Sequence, residues 1–213
     1  MTAVASLPPD APPPVGAKEA VLAAEDAGAD FLGFIFYEKS HRHVLPEEVR
    51  GLTKHVQRAK TVGVFVDAPL DEVNAAADFC SLDFVQLHGH ESAAYARSVC
   101  RPVIKAFRWG DDFSAEKAND YPAEIILLDS FSKGAVGGTG QRFRWREAAE
   151  ETARLEKPLL VAGGIASGNV WEAEEVFCPY GVDVSGSLEI EKRKSIEKIR
   201  EFMAVVQKRR VPE

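Results

Sequence analysis

The sequence predicts a parallel α/β barrel of the (β/α)8, or TIM, type, with its first strand replaced by a proline-rich segment. Three observations carry this. Short apolar runs alternate with longer amphipathic ones along the 213 residues, the pattern of repeated βα units. The apolar runs are nearly continuous in character, as strands covered on both faces must be. Polar residues fit for chemistry, and pairs of glycines, gather where those runs end. In a barrel that is the rim where sites are built.

The strand candidates, in order, are FLGFIFY (31–37), TVGVFV (61–66), FVQLHG (84–89), VIKAFR (103–108), IILLDS (125–130), LLVAGG (159–164) and GVDVS (181–185). Helices are expected at 17–28, 46–57, 69–80, 91–100, 112–120, 144–156, 167–177 and 192–209. The first stops at Gly28, a suitable residue just past a helix end. The second opens on Pro46, whose fixed φ and missing N–H suit a first helical position. The fourth is halted by Arg101-Pro102.

Eight helices against seven strands leave one strand unaccounted for. Its place is taken by SLPPDAPPPVG (6–16), with Pro8, Pro9, Pro12, Pro13 and Pro14. Proline cannot donate to a sheet ladder, which disfavours a central strand there. TAVASL (2–7) has the composition to pair, but it lies too far upstream for a normal two- to six-residue βα connection. Residues 1–16 are therefore expected to be irregular, and 17–213 to form one barrel domain. A barrel short of a strand has two open sheet edges, which leaves monomer and homodimer both compatible with the sequence.

The formal net charge is −7 with no clustered basic stripe, which argues against nucleic acid as partner. No run reaches the roughly 20 apolar residues of a membrane helix, and the N-terminus lacks a signal-peptide pattern. Cys80, Cys100 and Cys178 form no CxxC pair, and the odd count suits a reducing cytoplasm.

Candidate site residues follow from the strand ends. Arg42, after the first apolar run, can clamp a carboxylate through its planar fork. His88 ends FVQLHG and can act as a polar contact or an acid/base. Asp129 ends IILLDS, and a carboxyl at the mouth of an apolar barrel suits a general acid. Three glycine-rich stretches can present backbone N–H groups to an anion: GGTG (137–140) with Gly138, the pair Gly163 and Gly164, and the run Ser185, Gly186 and Ser187. The last two follow consecutive late strands, where barrels commonly hold phosphate.

With these residues in view, the chain resembles the phosphoribosylanthranilate isomerase family. The matching stretches are GADFLGFIFYEKSHRHV, VGVFV, VQLHG, VIKAF, LLDS with GGTGQRFRW, AGGI with NV, and PYGVDVS, in that order from about residue 17 onward. The resemblance implies an Amadori rearrangement in tryptophan biosynthesis, in which an N-linked phosphoribosyl amine becomes a 1-deoxyribulose phosphate without metal or organic cofactor. It implies that Asp129 is the general acid and that Arg42 engages the anthranilate carboxylate. His88 corresponds to the family's strand-end histidine. Gly163, Gly164, Ser185 and Gly186 correspond to its phosphate-binding set.

Two departures bear on activity. Members of the family begin with a strand like KICG, whose cysteine is the general base. Counting back from Gly28-Ala29-Asp30 puts that position near Pro13, which has no titratable group. Cys80, Cys100 and Cys178 fall within or at the ends of expected helices. The last strand reads DVSGS where the family has DVSSG, and Ser195 stands where the shortened loop after it normally carries an acid. These departures imply weakened catalysis. The alternative is a non-catalytic sugar-phosphate-binding protein on the same scaffold. A histidine-pathway isomerase is disfavoured by the Arg42 clamp, because that reaction offers no anthranilate.

Overall fold

The structure is a computed structural model and describes residues 16–110, 113–129 and 139–208, leaving out the side chains of 139–144. The proline-rich stretch up to residue 15 and Gly138 lie outside the described residues. Seven parallel strands form one sheet in sequence order: β1 (Phe31–Ile35), β2 (Lys60–Phe65), β3 (Phe84–Leu87), β4 (Val103–Arg108), β5 (Ile125–Asp129), β6 (Leu159–Ala162) and β7 (Gly181–Val182). The intervening helices are α1 (Ala17–Asp26), α2 (Pro46–Thr53), α3 (Leu70–Phe79), α4 (Ala93–Ala96), α5 (Ala115–Asp120), α6 (Thr139–Thr152), α7 (Val170–Phe177) and α8 (Ile196–Gln207). Every expected strand and helix forms.

The sheet has two apolar faces, as its continuous runs require. One set of side chains faces the helices. Leu32, Phe34, Val85, Leu87, Val103 and Ile126 pack there on one flank, and Leu128, Leu159, Val161 and Val182 on the other. The alternate set, Val62, Ile104, Ala106, Ile125, Leu127, Leu160 and Ala162, fills the inside of the curl with Phe31 and Phe84. The period of two along each strand decides which polar residues can reach the inside.

Local chemistry explains where elements start and stop. Pro46 is the first residue of α2, and the Glu48 carboxylate accepts the Leu45 N–H at 3.0 Å. Ser92, Ser114 and Ser195 cap α4, α5 and α8 with their hydroxyls. Ser195 is thus a buried helix cap. The last helix starts at Ile196 and not at 192, because Glu189–Ile190 (β8) pairs antiparallel with Arg193–Lys194 (β9). Glu191 and Lys192 form the turn with φ of 50° and 64°, the left-handed pair a tight hairpin demands. The fourth helix is a single turn, since Glu91 is taken up by loop amides.

Among the described residues β1 and β7 each have one strand neighbour, with Ile35 of β1 also bridged to His43, so the sheet is open between them. The helical layer outside is closed there. α8 packs on α1, and the Gln207 amide donates to the Ala27 carbonyl at 2.7 Å. Gly33, on the inner face of β1 beside the opening, is exposed to solvent.

Candidate active site

Helix-facing and inward-facing residues alternate up to the C-terminal rim. Val85 and Leu87 pack against helices, so Gln86 and His88 face inward. Leu128 packs against helices, so Asp129 faces inward. Val182 and Val184 do the same beyond β7, which turns Asp183 inward. Register sets their heights. Asp129 lies opposite Ala162, and Val161 lies opposite Val182. Asp183 therefore follows at the level of Asp129, two strands away.

His88 Nε2 lies 3.9 Å from Asp129 Oδ2, with the two side chains 23% and 25% exposed. That is an electrostatic contact and too long for a hydrogen bond. Gln86 Nε2 lies 2.9 Å from His88 Nδ1. With the amide NH2 as donor, Nδ1 accepts, and the ring proton sits on Nε2, turned toward Asp129.

The loop carrying His88 is stitched to β4 by a buried ion pair. Lys105 Nζ donates to Glu91 Oε2 at 2.8 Å, to Gly89 O at 2.6 Å and to Leu87 O at 3.2 Å. The Glu91 carboxylate accepts from the Gly89 and Asp67 amides. The Lys105 and Glu91 side chains are only 5% and 2% exposed.

Arg42 reaches the same rim from the loop after β1. Its fork holds Glu189 at 2.5 and 2.9 Å. Glu189 also receives Lys194 Nζ at 3.1 Å and His41 Nε2 at 3.3 Å. Burial alone would raise the Glu189 carboxyl. The hydrogen bonds from Arg42 and Lys194 prevail and hold it down at about 2. The guanidinium is thus a working carboxylate fork, occupied by a carboxylate of the chain itself. Gly186 sits against it, since a Cβ there would stand 3.5 Å from Arg42 Nη2.

Asp183 lies in the field of His88, Lys194, Asp129 and Arg42. Loss of water around it raises its carboxyl, His88 and Lys194 work against that rise, and the Asp129 charge adds to it. The residue still reaches solvent through the open mouth, which tempers the shift.

The loops after β6 and β7 adjoin on neighbouring strands. Gly163 and Gly164 take φ of 89° and 74°, a backbone that side chains resist. Asn169 braces this loop by accepting the Ala166 N–H at 2.8 Å and donating to Gly164 O at 2.9 Å. Across from it, Lys194 Nζ donates to Ser185 O at 2.9 Å and to Ser185 Oγ at 3.2 Å. Ser187 Oγ is buried with no hydrogen-bond partner among the described residues.

Of the residues singled out from sequence, Arg42, His88, Asp129, Gly163, Gly164, Ser185 and Gly186 all stand at this one end of the sheet. Gly138 is outside the described residues. Sequence reasoning missed Gln86, Asp183, Glu189 and Lys194. Inward parity marks the first two, two residues before His88 and two after Gly181. No local signal marks Glu189 and Lys194, which act through a hairpin. The three cysteines end helices α3, α4 and α7 or follow them closely. Helices run back from the rim, so their ends lie at the opposite face of the barrel.

Over most of its length the chain is similar to proteins of one family. The family model described as N-(5'phosphoribosyl)anthranilate (PRA) isomerase matches residues 15–205. An N-(5'-phosphoribosyl)anthranilate isomerase of Geobacter sp. (strain M21) is 46% identical over 195 residues, 89% of this chain and 93% of the relative. Among solved structures, phosphoribosyl anthranilate isomerase from Thermus thermophilus aligns with a TM-score of 0.77 at 33% identity, covering 89% of this chain and 94% of that one. A phosphoribosyl anthranilate isomerase in complex with reduced 1-(o-carboxyphenylamino)-1-deoxyribulose 5-phosphate aligns at 0.77 and 30% identity, covering 90% of this chain and 94% of that one. The chain belongs to the N-(5'-phosphoribosyl)anthranilate isomerase family.

Proposed function

We propose that this chain converts N-(5-phosphoribosyl)anthranilate to 1-(o-carboxyphenylamino)-1-deoxyribulose 5-phosphate in tryptophan biosynthesis, using the rim residues described above. The observation that carries the reading is the convergence of three chemistries on one rim. A carboxyl group beside a histidine can donate a proton, a guanidinium fork can hold a carboxylate, and two adjacent glycine-containing loops can hold a phosphate.

Asp129 protonates the furanose ring oxygen, and the C1–O bond opens as the anilino nitrogen lone pair forms a C1=N iminium. His88, its Nε2 hydrogen facing Asp129, favours the carboxylate left behind. Arg42 holds the anthranilate carboxylate once that group displaces or shares the place of Glu189. The loops at Gly163–Gly164 and Ser185–Ser187 hold the phosphate, and the unpartnered Ser187 hydroxyl suits a phosphate oxygen. A site held together by electrostatics and position needs no organic cofactor for this isomerisation. The three free cysteines fit a cytoplasmic setting. The non-catalytic alternative rests on the missing cysteine alone and is not favoured, because the named relatives are isomerases.

The test is turnover of freshly generated phosphoribosylanthranilate, followed by loss of anthranilate fluorescence. Saturable consumption is expected, with Asp129→Asn lowering kcat by about 10²–10⁴. A full-length chain that does not consume the substrate would remove the reading, and one that binds the reduced product analogue without turnover would establish the non-catalytic alternative.

A further inference from the structure

The rearrangement needs a base as well as an acid, because a proton must leave C2 of the opened sugar. Among the described residues no cysteine reaches the rim. Resting on the function proposed above, we infer that Asp183 is the general base of this chain. It stands at the height of Asp129 two strands along the sheet, on the strand that borders the opening.

The geometry is that of two carboxyls flanking one small substrate. Neighbouring parallel strands lie about 4.8 Å apart. The Asp129 and Asp183 backbones are therefore separated by roughly 10 Å, less what the curl of the sheet removes. Both side chains point inward, because the residues beside them pack outward onto helices. The Asp183 backbone is fixed by its N–H bond to Val161 O at 2.9 Å. The charged groups whose fields reach its carboxylate are His88 after β3, Asp129 from β5, Arg42 from the loop after β1, and Lys194 from the hairpin. Three of these are or can be cations, which tolerate a carboxylate there. Partial loss of water, tempered by its exposure at the open mouth, and the Asp129 charge push its carboxyl upward. A raised value makes a carboxylate a stronger base near neutral pH.

The step balances without any added reactant. Asp129 gives its proton to the ring oxygen, and the C1–O bond breaks as C1=N forms. The Asp183 carboxylate then takes the C2 proton. The C2–H electron pair becomes the C1=C2 bond, and the iminium nitrogen recovers its lone pair. The resulting enolamine becomes the ketone by losing the O2 proton and gaining one at C1. Exchange with water restores Asp129 to its acid form and Asp183 to its carboxylate.

The experiment compares wild type, Asp183→Asn and Asp183→Ala. The readouts are kcat, KM, the isotope effect with substrate deuterated at C2, and the affinity of the reduced product analogue. The expected result for Asp183→Asn is a kcat lower by about 10²–10⁴ with analogue affinity within about threefold. The C2 isotope effect should grow, since removing the base makes C–H cleavage limiting. Formate, small enough to enter the vacated volume, should recover part of the Asp183→Ala rate. Three results overturn the inference while leaving the isomerase reading intact: unchanged turnover in Asp183→Asn, equal losses in kcat and analogue affinity, or an isotope effect that does not grow. Wild type that binds the analogue but shows no turnover also overturns it. Wild type that does neither removes the isomerase reading itself.

Discussion

Replacing Lys105 by Met tests how the His88 loop is held. Lys105 and Glu91 are both nearly fully buried, at 5% and 2% side-chain exposure. As a pair they add little net stability, because the cost of desolvating both charges rivals their attraction. Breaking the pair is another matter. Methionine matches the lysine stem in length, so packing changes little, but the Glu91 carboxylate is left buried without its cation. The Leu87 and Gly89 carbonyls lose their shared donor at the same time. An uncompensated buried charge costs about 3–5 kcal/mol. For a domain of this size each kcal/mol lowers the melting temperature by about 2–4 °C, so a fall of about 6–20 °C is expected. Thermal melts by circular dichroism and urea titration supply the measurement. Lys105→Met with Glu91→Leu removes both charges and should recover at least half of the loss, a coupling that a double-mutant cycle reads directly. A single variant that melts within 2 °C of wild type would refute the argument that this pair is desolvated and mutually dependent.

Three further outcomes are expected. Glu189→Gln should flatten the acid limb of stability. The Glu189 carboxyl sits at about 2 in the fold against an ordinary 4.5, so its contribution is present above about 4.5 and lost as pH falls toward about 2. Arg42 and Lys194 are partly solvated, at 29% and 33% exposure, which limits the loss at neutral pH to about 1–2 kcal/mol. A variant with the wild-type acid slope would contradict it. Gly89→Ala places a Cβ 2.7 Å from the Asp67 amide nitrogen, which should cost about 1–3 kcal/mol in urea unfolding and loosen the His88 loop. Gln86→Leu keeps the bulk but removes the donor to His88 Nδ1. It should lower kcat up to about tenfold, the worth of one such hydrogen bond, with little change in KM.

Much of this protein is legible in its letters. The seven strands and eight helices are local matters: apolar continuity, proline and serine at helix starts, and turn residues between. Arg42, His88, Asp129 and the glycine pairs stand out because they interrupt apolar runs at strand ends, and a barrel has one rim for such residues. The boundary errors came from partners distant in sequence. β9 takes the first residues expected of α8, and Glu91 leaves its helix to bind Gly89 and Asp67 amides. Neither is visible in a window of neighbouring residues.

Only the assembled sheet decides the rest. Asp183 lies in a run that reads as an ordinary strand end, and strand register alone sets it level with Asp129. Glu189 acquires meaning when the hairpin folds back onto Arg42, which lies 147 positions earlier. The sequence determined which elements form, because periodicity and capping act over a few bonds. Tertiary structure determined which charges meet, because electrostatic fields act through space and take no account of order along the chain.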